Sequence, residues 1–195
     1  LLRLSPTRDA TFAENVFALS NSRWVPFPTA AEVYPVGSAR MAFDAKRGNA
    51  VLIDRDDLAN TSRTWTWNGT SVQRPAGQEP SPPVRYFTSM TFDVAHEEVV
   101  LFGGMSPNGG VAMGDTWTWD GTTWRERRPP NNAPPRMAAV MAYDAAHGYV
   151  LMFGGKGDGA VLQDTWTWDG TTWQERSPKT LPAPRESHAM SYSPE

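Results

Sequence analysis

The chain reads as short β-prone runs punctuated by turn residues. In 115–119 (DTWTW) tryptophan alternates with threonine, so Trp117 and Trp119 share one face of an extended segment and Thr116 and Thr118 the other. Asp120-Gly121 follows, then the β-prone TTWRER of 122–127. An Asp-Gly pair between two such runs predicts a hairpin, because the turn requires positive φ. Asn68-Gly69 and Asp169-Gly170 repeat the signal. Two further runs, RMAAVMAYD (136–144) and GYVLMFGG (148–155), flank the short turn DAAHGY (144–149). Helical periodicity is not evident anywhere.

These runs recur. DTWTWDGTTW stands at 115–124 and again, identically, at 164–173; RTWTWNGTSV (63–72) and NVFALSNSRW (15–24) are fainter copies. Each copy is followed by a second element: VGSARMAFD (36–44), RYFTSMTFD (85–93), RMAAVMAYD (136–144) and RESHAMSYS (185–193). Their methionines, Met41, Met90, Met141 and Met190, lie 49, 51 and 49 residues apart. A third element is a β run ending in two glycines, VVLFGG (99–104) and VLMFGG (150–155), with VLID (51–54) and LLRL (1–4) as partial counterparts. All 9 tryptophans fall on the repeat, and most of the 17 prolines lie between its end and the next second element. The unit is four antiparallel strands, which we call a (RMAAVMAYD), b (GYVLMFGG), c (DTWTW) and d (TTWRER). A four-stranded unit repeating near every 50 residues predicts an all-β fold of propeller blades.

The Phe-Gly-Gly endings at 102–104 and 153–155, the aromatic strand c, the trailing Trp124 and Trp173, and the arginines opening strand a (Arg85, Arg136, Arg185) resemble kelch repeats of the galactose-oxidase type. The resemblance covers nearly the whole chain, most clearly 63–190. It implies a propeller with strand a nearest the axis and strand d at the rim. The first full copy departs from it: Val36 replaces the arginine and Asp54-Arg55 the glycine pair. The oxidase chemistry known in such propellers needs a cysteine-linked tyrosine, and this chain has no cysteine.

Counting strands predicts one domain over 1–195. Blade 1 comprises 1–27 plus 185–195, blade 2 36–75, blade 3 85–129 and blade 4 136–178. On this count 185–193 supplies the strand a that the first unit lacks and pairs with 1–4, closing a four-bladed ring. The alternatives are part of a larger propeller, or two chains completing a larger ring, so monomer and dimer both stay open.

Composition narrows the function. The chain has 195 residues, 39% hydrophobic and 20% charged, with a formal net charge of −3. No basic face is on offer for nucleic acid, and no apolar run approaches the ~20 residues of a membrane span. Without cysteine there are no disulfides, thiol catalysis or cysteine metal sites. A first residue of leucine suggests a processed product or a piece of a longer chain, and weakly favours an extracytoplasmic setting.

Candidate chemistry is sparse. Arg85, Arg136 and Arg185 recur once per repeat. They read either as a cationic ring at a channel mouth or as ties for their own Pro-rich loops. His188, three residues after Arg185, and Arg40 complete the candidate binding set. His96 and His147 belong to equivalent a–b turns and read as solvated tips. Asp115 and Asp164 read as turn residues bonding local amides. The acidic DRDD (54–57) matches no calcium loop and reads as solvated. The b–c loops lack phosphate-loop order, and no cofactor or metal is implied. Asp56, Asp57, Asn108, Lys156 and Asp158 are the partner-loop candidates. The leading function is a non-enzymatic binding or assembly module that presents loops to a protein partner or larger complex. The alternative is a carbohydrate-binding or sugar-modifying propeller, with Phe27, Tyr34 and Tyr86 at loop-to-strand joints.

Overall fold

Seventeen strands, and no helix, organise the described part of the chain. The computed structural model describes residues 2–4, 16–20, 23–26, 39–56, 61–76, 80–157 and 159–194. The first sheet joins β1 (Leu2–Leu4), β2 (Val16–Ser20) and β3 (Arg23–Pro26) in chain order. The second joins β4 (Arg40–Asp44), β5 (Asn49–Asp56), β6 (Thr61–Trp67) and β7 (Val72–Gln73). The third joins β8 (Ser89–Asp93), β9 (Glu98–Met105), β10 (Ala112–Trp119) and β11 (Trp124–Arg127). The fourth joins β12 (Val140–Asp144), β13 (Tyr149–Phe153), β16 (Thr165–Trp168) and β17 (Trp173–Arg176). A short ribbon, β14 (Lys156–Gly157) with β15 (Ala160–Val161), rises from the β13–β16 loop. Every ladder is antiparallel, and each sheet runs outward in chain order.

The hairpins form where the turn chemistry predicts them. Asp120 Oδ1 accepts the N–H groups of Thr122 and Thr123 at 2.9 Å, and Asp169 does the same for Thr171 and Thr172. Gly121 and Gly170 supply the positive φ, 99° and 89°. Asn68 caps the equivalent turn with its amide oxygen.

The sheets stack face to face, with β4 packed on β8 and β8 on β12. Strand alternation builds the two interfaces. Val99 and Leu101 of β9 face back toward Ala42, Val51 and Ile53 of the second sheet. Val100 and Phe102 face forward into Met141, Val150, Met152, Trp166, Trp168 and Trp173 of the fourth. Trp119, Trp124, Trp168 and Trp173 are essentially inaccessible to solvent. Burying an indole removes roughly 200 Å² from water, an upper estimate of about 5 kcal/mol each. The indole N–H groups are also used across interfaces: Trp124 Nε1 donates to Thr64 Oγ1 at 2.7 Å and Trp173 Nε1 to Thr116 Oγ1 at 2.9 Å.

One expectation is corrected. Strand a begins later than the arginine-led element, because the chain kinks before it. Phe87, Ala138 and Ser187 share a left-handed φ of 53–54°. The kinks bond in relay, the Ala138 N–H to Phe87 O at 2.8 Å and the Ser187 N–H to Ala138 O at 2.9 Å. Residues 185–194 contain no strand, and the described ladder partner of Leu2–Leu4 is β2. The Arg185 N–H bonds Leu162 O at 3.1 Å, and Arg185 O accepts the Gly155 N–H at 2.9 Å. Arg136 makes the same two bonds to Met113 O and the Gly104 N–H. The tail is seated on the fourth sheet as the fourth sheet's own entry is seated on the third.

Candidate functional site

The repeated arginines are the first place to look for a site. Arg85 places Nη1 and Nη2 on the two carboxylate oxygens of Asp115, both at 2.7 Å. Its remaining donors reach Gly103 O at 3.0 Å and Pro83 O at 2.9 Å. Trp117 Nε1 completes the carboxylate at 2.7 Å. Arg136 repeats the arrangement with Asp164 (2.7 Å twice), Gly154 O, Pro134 O and Trp166. Burial raises the Asp115 and Asp164 carboxyls, but the arginine and indole hydrogen bonds and the guanidinium charge outweigh it and hold both below the usual range. Arg85 and Arg136 are buried and fully engaged, so the open cationic ring does not form at these two positions; they tie down the Pro-rich loops instead. At Asp115 and Asp164 a bidentate guanidinium takes both carboxylate oxygens, which an Asx-turn would not do.

The second sheet carries the same three chemical groups, with the acid and the base at different positions. Asp54 stands where the other sheets have Gly103 and Gly154, and Arg63 where they have Asp115 and Asp164. Arg63 grips Asp54 at 3.2 Å through Nε and Nη2, and Trp65 Nε1 donates to the same carboxylate at 3.2 Å. The departure at Asp54-Arg55 therefore carries a relocated ion pair, and Asp54 is a buried strand residue rather than part of a solvated acidic loop. Arg55 lies over the Tyr86 ring at 4.6 Å from its centroid.

Arg40 and Arg185 differ from this pattern. Arg40 is half-buried and donates to backbone oxygens, Nε to Thr88 O at 3.0 Å and Nη1 to Ala39 O at 3.3 Å. Burial lowers its pKa. Arg185 copies the Nε bond of its counterparts, to Ala183 O at 3.0 Å, but its fork meets no carboxylate among the described residues. His188 packs edge-on against Phe153 with ring centroids 5.6 Å apart, and both its ring nitrogens are buried with no hydrogen-bond partner among the described residues. Burial and then the Arg185 charge push its pKa below the ordinary histidine value. Arg185 and His188 border one cavity of about 280 Å³ with Leu151, Phe153 and Thr165.

The remaining candidates scatter. His96 and His147 cap their own turns, each with Nδ1 2.9 Å from Asp93 or Asp144. Asn108 sits exposed at the tip of the β9–β10 loop, its N–H on Ser106 Oγ at 3.2 Å. Lys156 belongs to β14, and its backbone bridges Met137. Asp56 ends β5; Asp57 and Asp158, like Phe27 and Tyr34, lie outside the described residues. Among the exposed large apolar side chains, Phe87, Val111, Val161 and Leu181 lie in connections from strand b to c or from d to a, whereas Phe43, Val94 and Tyr192 lie elsewhere. Sequence reasoning missed the Arg–Asp clamp, although Arg85/Asp115 and Arg136/Asp164 recur in step and could have been read as a pair. The cavity had no such signal. No protein-family model and no curated protein matches this chain.

Proposed function

We propose that the four-stranded sheets are blades of a kelch-type β-propeller and that the chain is a non-enzymatic binding module. Its working surface is the end formed by the b–c and d–a loops, and its partner is a protein. The outward strand order of each sheet and the side-by-side inner strands β4, β8 and β12 support the architecture. The observation that carries the function is the set Phe87, Val111, Val161 and Leu181, apolar side chains from 41% to 65% exposed on loops that share one end of the stack. A rigid frame with apolar loop tips is a docking surface. The test compares Val111→Asp with Val161→Asp against Phe43→Asp and Val94→Asp at the opposite end, in affinity capture from the native source. Capture of a partner is expected to fail for the first pair and persist for the second. Equal loss from both ends would sink the reading.

Carbohydrate binding is the second reading. Tyr86 and the exposed Phe87 adjoin with ring centroids 6.3 Å apart, and Arg55 stacks on Tyr86. Exposed rings beside a cation suit a sugar face. A glycan array with Phe87→Ala as control decides it.

A further inference from the structure

Asparagine stands before glycine twice in the chain, at Asn68-Gly69 and Asn108-Gly109. Such a pair loses its side-chain amide without an enzyme. The glycine nitrogen bonds to the asparagine Cγ, its proton leaves with the side-chain NH2 as ammonia, and water then opens the five-membered imide to aspartate or isoaspartate. Glycine permits this because it has no Cβ to crowd the ring and the widest choice of backbone angles. What holds the asparagine side chain then sets the rate, because Cγ and the next nitrogen must turn onto each other. Asn68 is held. Its Oδ1 accepts the Thr70 and Ser71 N–H groups at 3.0 and 2.9 Å and the Thr70 hydroxyl at 3.1 Å. Its own N–H reaches Ser71 O at 3.3 Å. Closing the ring swings Oδ1 off those donors.

Asn108 has the same neighbour and none of that restraint. It lies exposed at the tip of the β9–β10 connection, a loop closed at its base by the Ser106 N–H on Val111 O at 2.9 Å. Its backbone is used within the loop, the N–H on Ser106 Oγ at 3.2 Å and the carbonyl under the Ser106 hydroxyl at 3.5 Å. Its side-chain amide makes no hydrogen bond among the described residues. Gly69 and Gly109 are equally open, at φ +95° and +84° with nothing within 4 Å of the place a Cβ would take, so the two sites differ in the asparagine and not in the glycine.

We propose that Asn108 is a self-modification site, where the folded protein converts asparagine to aspartate or isoaspartate while Asn68 is spared. The change makes the formal net charge one unit more negative than −3 and sets a carboxylate near Val111, which is 65% exposed. Isoaspartate also adds a methylene to the main chain inside the closed loop. The new charge opposes burial of this tip against an apolar partner. That consequence rests on the loop-face reading of function; the chemistry at Asn108 does not.

The test incubates the folded full chain at neutral pH and follows both sites by peptide mapping. Trypsin leaves them on separate peptides, 64–85 and 86–125. The Asn108 amide is expected to be lost about tenfold faster than that of Asn68, or more, since ring closure at Asn68 gives up several hydrogen bonds. In concentrated guanidinium, where the turn donors are released, the two rates are expected to converge. Equal rates in the folded chain overturn the proposal, as does Asn68 reacting first. A difference that persists in the unfolded chain also overturns it, because neighbouring residues and not the fold would then be the cause. Asn108→Gln, at an exposed position, is expected to melt as the parent chain does and to lose the acidic species that appears on ion exchange; Asn68→Gln is expected to keep that species. Asn108→Asp, set beside Val111→Asp in the capture experiment, separates the chemistry from its consequence. Loss of capture with both supports the consequence. Loss with Val111→Asp alone removes the consequence and leaves the loop-face reading. Retention with both defeats the loop-face reading, while the peptide map still decides Asn108.

Discussion

Trp173, the first residue of β17, donates its indole N–H across a sheet interface to Thr116 Oγ1 of β10 at 2.9 Å. The two residues are 57 positions apart and both are buried. One bond thus joins the outermost strand of one sheet to the third strand of its neighbour. Trp124 and Thr64 make the equivalent joint one sheet earlier.

Removing this joint is expected to weaken folding without changing the strand pattern. Trp173→Ala leaves a cavity and costs about 4 kcal/mol. Thr116→Val strands the buried N–H and costs about 1–2 kcal/mol. Trp173→Phe combined with Thr116→Val is expected to show a coupling of about 1 kcal/mol. Guanidinium denaturation of the four proteins of the cycle measures it.

The Arg136–Asp164 pair predicts an asymmetric response. Arg136→Ala takes the guanidinium donors away from a partly buried carboxylate and two backbone oxygens, at a cost of about 3–5 kcal/mol. Arg136→Lys recovers little, because an ammonium cannot reproduce the two parallel bonds to Asp164. Denaturation midpoints for the two variants check this; full rescue by lysine would contradict the clamp.

Gly103 predicts a steric result. Its φ is +59°, and a Cβ there would lie 2.4 Å from Arg136 O and 2.9 Å from Met113 O, both backbone. Gly103→Ala is expected to cost more than the roughly 1 kcal/mol of left-handed strain alone. It also disrupts the seat of the entry segment at Arg136. Hydrogen exchange of the Gly104 and Arg136 amides, which bond Arg136 O and Met113 O, is expected to accelerate together.

Asp120 predicts an acid limb in stability. Burial raises its carboxyl, but the Thr122 and Thr123 hydroxyl and amide donors prevail and hold it at about 2, against 3.8 for the free group. A depressed folded pKa means that the contribution is fully present above 3.8 and is lost as pH falls through about 2. Asp120→Asn is expected to keep the turn, as Asn68 does in the second sheet, and to flatten that part of the profile. Urea midpoints from pH 5 to pH 2 for both proteins measure the difference.

The strands and their turns were legible because their causes are local. Alternation in TWTW puts tryptophan on one face within four residues, and Asp120-Gly121 carries the turn in two side chains. The repeat extended that reading to the order of strands in each sheet. Arg85 and Arg136 were legible as loop ties, but their carboxylates were not, since Asp115 and Asp164 lie 30 and 28 residues away.

The amino-acid order by itself determined the β-strands, the hairpins, the sheet order and the tryptophans as core. Only the tertiary structure decided which groups meet across them. Asp54 stands at a glycine's position and Arg63 at an aspartate's, and they still form one ion pair, because burial requires a neutralised carboxylate and not a particular donor position. The backbone groups of Arg185 and Ser187 bond Leu162, Gly155 and Ala138, as Arg136 and Ala138 bond Met113, Gly104 and Phe87 one sheet earlier. Strand propensity is held in a few neighbouring side chains; the choice of backbone partner depends on which edge the folded sheets bring within reach.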